Sequence, residues 1–180
     1  MKELDQFMGL ESNPADDLKT LLLGRFNKNL FIESVKADEK KYQELLKFSL
    51  SNEIPLGWRA AWILRHVFRP QEPGLKAIIP YVIRDIQTFD ESKKREWLKI
   101  LSKLDIEEAL EGELYDKSVE IWLNIHNHSA LRISAMQCIV RFIKKYPELK
   151  EELDHITEPE YLEVLSPGIR KTFEKLTRDL

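Results

Sequence analysis

The sequence predicts an all-α fold of stacked helix pairs, and three observations carry that reading. Apolar residues recur at helical spacing along the chain, sustained alternation of apolar and polar residues is missing, and one arginine returns at a nearly constant interval. The hairpin dipeptides Asn-Gly and Asp-Gly are also absent.

Helices are read at 2–10, 14–24, 28–36, 38–50, 55–69, 74–88, 91–104, 107–125, 129–145, 148–155 and 160–178. In 38–50, Tyr42, Leu45, Leu46 and Leu50 line one face; in 94–104, Trp97, Leu98, Leu101 and Leu104 do the same. Asn13-Pro14, Glu72-Pro73, Asp90 and Ser166-Pro167 are start signals, and Tyr146-Pro147 is a stop. Gly112 leaves open whether 107–125 is one helix or two pieces, and Ser166-Pro167 breaks the last stretch. Pro80 removes a backbone donor and crowds the preceding turn, so a kink is expected within 74–88.

The arginines Arg59, Arg95, Arg132 and Arg170 are 36, 37 and 38 residues apart, each early in the second helix of a pair. Columns align on them. Seventeen residues upstream stand Tyr42, Ile78, Tyr115 and Leu153; thirteen upstream, Leu46, Val82, Val119 and Thr157. Nine upstream stand Leu50, Ile86, Leu123 and Tyr161, and three downstream Trp62, Leu98, Ala135 and Phe173. Columns four apart form a stripe on the first helix, and a pair with a one-sided stripe needs a neighbour to cover it.

In these features the chain resembles the HEAT-like and armadillo-like repeat family. The best match runs Leu75-Lys76-Ala77-Ile78-Ile79-Pro80, then Ile83, Ile86, a turn at Asp90, and Arg95 opening the next helix. Leu131-Arg132 through Ala135 and Ile139, and Trp58-Arg59-Ala60-Ala61, are similar. The resemblance covers about 38–178. It implies a single domain, a right-handed α-α superhelix of about four helix pairs. The units are 37–70, 73–105, 107–146 and 147–178, after an N-terminal helical cap at 1–36. Only the second unit carries the proline, and Thr157-Glu158-Pro159 interrupts the fourth, which is a full repeat or a cap.

Charge and composition bound the chemistry. The 180 residues carry 31 acidic and 28 basic side chains, a net charge of −3, and 43 % are hydrophobic. A chain of this length buries roughly 70 % of its unfolded surface, enough for a core without metal or disulfide. Cys138 is the one cysteine, so no internal disulfide is expected. The start, Met1-Lys2-Glu3-Leu4-Asp5, does not read as a signal peptide, and no run approaches the roughly 20 apolar residues of a membrane span. A soluble, cytoplasmic protein without cofactor or metal is expected. Phosphate-binding glycine loops, the Gly-x-Ser-x-Gly elbow and His-Glu-x-x-His are all missing.

Candidate site residues fall on two apolar helices. Trp58, Trp62, His66 and Arg69 follow i, i+4, i+8 and i+11, with Arg65 alongside, a pattern that stacks a base or clamps a peptide. The structural alternative is a core helix, since Ala60, Ala61, Ile63, Leu64, Val67 and Phe68 make the segment apolar almost all round. The segment 131–143 is similar, with Met136 and Cys138 inside it and Arg141 near its end. The repeated arginines either form a basic ladder or bond turns, with Glu53, Asp90 and Asn127 as acceptors; the second role is favoured because the repeat defines the column. His126 and His128 lack a placed carboxylate partner and are a poor metal motif.

The resulting expectation is a non-enzymatic scaffold or protein- and peptide-binding module, with Trp58, Trp62, Arg65, Arg69, Met136 and Arg141 at the partner surface. Two alternatives stand beside it. One is an enzyme resembling the HEAT-like alkylation-repair DNA glycosylases, disfavoured by the acidic balance. The other is a self-associating structural protein.

Overall fold

The computed structural model describes residues 18–180, and every regular element among them is helical. The helix expected at 2–10 and the start of the one at 14–24 lie outside the described residues. The helices are α1 (Leu18–Leu23), α2 (Lys28–Ala37), α3 (Glu39–Leu50), α4 (Leu56–Val67), α5 (Pro73–Asp85), α6 (Glu91–Leu101), α7 (Glu108–Leu123), α8 (Ser129–Lys145), α9 (Lys150–Ile156), α10 (Pro159–Glu163) and α11 (Pro167–Thr177). Short 3₁₀ turns at Ile86–Thr88 and Pro147–Leu149 complete the order.

Side-chain caps explain several starts. Asn27 Oδ1 accepts from the amides of Asn29 and Leu30 at 3.0 and 3.3 Å to open α2. Asp38 Oδ1 does the same for Lys40 and Lys41, and Asp90 Oδ1 for Ser92 and Lys93. Glu72, one residue ahead of α5, accepts from the Leu75 amide through Oε2 and from Gln43 Nε2 through Oε1. Within α5 the helix runs through Pro80 to Asp85 before tightening into the 3₁₀ turn. Helix α7 is one piece, with Gly112 inside it, whereas the last stretch breaks ahead of Pro167.

The chain divides into two compact units, Met1–Leu75 and Lys76–Leu180. In the described part of the first, α4 packs against α1, α2 and α3, and Leu18, Leu22, Val35, Tyr42, Leu45, Leu46, Ala60, Ile63 and Leu64 are buried. In the second, α8 is the hub and packs on α6, α7 and α11. Eleven of its residues are buried, from Leu131 to Ile143, which matches an apolar pattern that leaves little polar face.

Bonds recur about one repeat apart. Lys117 Nζ donates to the Ile83 carbonyl 34 residues away, Trp122 Nε1 to the Ile156 carbonyl 34 away, and Tyr115 Oη to Glu152 37 away. In the first unit Lys19 reaches Glu53 across 34 residues. In the second unit the first helices of successive pairs are therefore linked, as a repeat architecture requires, and in the first unit α1 is tied to the turn ahead of α4.

Candidate functional site

The face of α4 begins with its aromatic residues. Trp62 is half-buried, its ring 6.3 Å from Phe26 and 6.0 Å edge-on from His66, with Lys28 Nζ 5.3 Å from the ring centre. Trp58 is half-buried beside Arg59, whose guanidinium lies 5.7 Å from the indole. Arg65 Nη2 lies 3.4 Å from His66 Nε2. Arg69 falls two residues beyond the end of α4. Its Nη1 meets Glu39 at 2.5 Å, its Nη2 donates to the Lys36 carbonyl, and its guanidinium stacks 4.5 Å from Tyr42. Trp58, Trp62 and Arg65 thus share one helix, while Arg69 ties the segment after α4 back to α2 and α3.

Met136 and Arg141 belong to the second unit. Met136 is wholly buried in α8, so its expected place on a partner surface is corrected: α8 is packed on three sides and leaves this side chain no outlet. Arg141 is half-buried; Nη1 donates to the Leu101 carbonyl at 2.9 Å, and Asp105 lies 4.0 Å from the guanidinium.

The repeat arginines bind helix ends more than they bind carboxylates. Arg59 Nη1 donates to the carbonyls of Leu22, Leu23 and Gly24 at 2.8, 2.9 and 3.1 Å, collecting the C-terminal acceptors of α1. Arg132 Nε donates to the Trp122 carbonyl and Nη2 to the Tyr161 carbonyl, both at 2.7 Å. Arg170 Nη2 donates to the Leu162 carbonyl. Arg95 differs: its Nε meets the buried carboxylate of Glu96 at 3.0 Å. The acceptors proposed from sequence have other work. Glu53 takes Lys19, Asp90 caps α6, and Asn127 donates to the Ile121 carbonyl.

A cleft in the second unit joins residues that the periodicity of single helices does not single out. Its volume is about 270 Å³, and Glu108, Glu111, Gly112, Tyr115, Phe142, Tyr146, Glu148 and Leu149 line it. Tyr115 and Phe142 meet edge-to-face at 6.1 Å. Glu111, only 4 % exposed, takes Lys145 Nζ at 2.8 and 2.7 Å and Tyr146 Oη at 2.6 Å. Burial pushes this carboxyl up, but the bonds from Lys145 and Tyr146 outweigh burial and hold it below the usual range. The available signal was spacing: Lys145 and Tyr146 stand 34 and 35 residues after Glu111, one repeat length.

Among the described residues no group of three or more His, Cys, Asp or Glu is placed to hold a metal ion, and no helix is long and apolar enough to cross a membrane. His126 and His128 are exposed at the turn between α7 and α8, where the His128 amide donates to Glu91. Cys138 lies buried, its Sγ 3.4 Å from the Leu98 carbonyl.

No curated protein and no solved structure gives a significant match to the chain. The family model of the HEAT repeat domain matches residues 22–180. Matched over that span, with helix pairs bonded at one-repeat separations in the second unit, the chain belongs to the HEAT repeat domain family.

Proposed function

We propose that the protein is a non-enzymatic binding module that engages a protein or peptide through the first unit, at Trp58, Trp62 and Arg65 of α4 and the adjoining Lys28. The observation that carries the reading is apolar exposure concentrated beside that helix. Leu30 is 71 % and Ile54 69 % exposed, Leu21 and Leu23 are also exposed, and the two half-buried tryptophans lie on α4 with cations around them. Tryptophan and arginine are the residues that dominate protein interfaces, and apolar side chains held in water gain free energy when a partner covers them. Lys28 and Arg65 favour a partner that presents apolar side chains flanked by carboxylates.

The test uses a partner first identified by capture and then purified. A Trp58→Ala/Arg65→Glu variant should bind it at least tenfold more weakly, while a Lys144→Glu variant in the second unit should bind as the parent does. Arg69 is left intact because its bonds hold the fold. Unchanged binding by the first variant would remove the α4 surface. Salt-steep binding of duplex DNA at micromolar concentration, measured in parallel, would replace the protein-binding reading with a nucleic-acid one.

A further inference from the structure

The cleft around Glu111 lies wholly in the second unit and is independent of the α4 surface. Its floor is aromatic and its rim acidic. Tyr115 and Phe142 are buried beneath it and Tyr146 stands half-buried at its side. Of the eight lining residues three are glutamates and none is a cation. Glu108 and Glu148 are exposed at the mouth, and Glu152, held by the Tyr115 hydroxyl at 2.9 Å, extends the negative rim.

Gly112 supplies the opening. It sits inside α7, where glycine costs roughly 1 kcal/mol against alanine, and a Cβ built on it would meet nothing within 4 Å. No turn or close backbone approach requires it. Its effect on shape is to leave the cleft open along one wall. The same cleft already shows which chemistry suits it: the Lys145 ammonium rests on Glu111 and 5.0 Å from the Tyr146 ring. At about 270 Å³ the space is below that of drug-sized ligand pockets and suits a single long side chain.

We infer that this cleft is a docking site for an arginine side chain of a partner segment, its guanidinium against the tyrosine rings and paired with Glu108 and Glu148, and its neighbours apolar. Planar guanidinium stacks on aromatic faces and pairs with carboxylates, and the uncompensated acids at the mouth select it over neutral or acidic residues.

The probe is an acetylated, amidated pentapeptide with arginine between two leucines, titrated against the ¹⁵N-labelled full chain. Gly112 is one of only six glycines, so its amide is readily followed. The arginine peptide should shift the Gly112 amide saturably, and a norleucine counterpart should bind at least tenfold more weakly. Glu108→Gln/Glu148→Gln should weaken the arginine peptide at least fivefold. In the parent the arginine peptide should also shift the Tyr115 and Tyr146 amides, and Gly112→Leu, which adds a side chain at a lining position with open space, should abolish those shifts with no fall in Tm. Equal binding of the arginine and norleucine peptides, absence of any saturable shift, or full binding by Gly112→Leu would each overturn the assignment.

Discussion

Arg132 holds Trp122 twice: its Nε donates to the Trp122 carbonyl at 2.7 Å, and its guanidinium lies 4.6 Å from the indole centre. With 1 % of its surface exposed, this arginine spends its fork on two carbonyls and a ring. Lysine cannot span all three. Arg132→Lys should therefore lower unfolding free energy by about 2–3 kcal/mol in urea titration. Arg59→Lys should cost about 1 kcal/mol and the exposed Arg170→Lys no more than about 0.5 kcal/mol. Equal losses at the three positions would contradict the geometry.

Lys93 is fully buried, 3.9 Å from the Phe89 ring, and burial pulls its ammonium down to about 8 against the opposing pull of Asp90. The unfolded chain then binds more protons than the folded one between that value and the ordinary lysine pKa. Stability from this group accordingly rises as pH climbs from about 8 toward 10.5. Lys93→Met removes the titrating group, so the variant should lack the parent's rise in stability between about pH 8 and 10.5. It should also flatten the difference between parent and variant above pH 10, which paired urea melts across the window will measure.

At Glu111 the charged form stabilises the fold, where at Lys93 it costs stability, although stability rises with pH in both cases. The Glu111 carboxyl, held below the usual range, contributes stability that is complete above the unfolded carboxylate pKa and is lost as pH falls through the folded value. Glu111→Gln should cost about 1–2 kcal/mol at pH 7 and less at pH 2, because the parent loses this charge as the carboxyl takes up its proton on the way down. Parallel melts at the two pH values give the comparison.

Burial pushes the Cys138 thiol up to about 12, and it sits among core residues of α8. At pH 8 the native chain should react with a disulfide reagent over a hundredfold more slowly than the urea-unfolded chain. Fast labelling under native conditions would mean that α8 opens.

Spacing made the repeat readable because a buried stripe must return whenever a helix pair returns. Arg59, Arg95, Arg132 and Arg170 were visible for that reason. Their acceptors were not, since a carbonyl of Leu22 or Tyr161 leaves no mark in residue type. Helix α7 continued through Gly112, whose small intrinsic penalty is overridden by the buried Leu114, Tyr115 and Ser118 just after it. Met136 was misplaced because an apolar helix reads alike whether it waits for a partner or is already surrounded. The cleft needed pairing across one repeat, Glu111 to Lys145 and Tyr146, which single-helix periodicity does not reveal.

The tail of the second unit is riveted to a single tryptophan. Trp122 gives its indole N–H to Ile156, lies flat against Phe173 at 5.5 Å, and shares Arg132 with Tyr161. Fraying from Leu180 inward would strip these three fastenings almost together. The last two dozen residues should then detach as one cooperative segment, and the loss would be announced by a red shift in tryptophan emission before the remainder of the molecule melts.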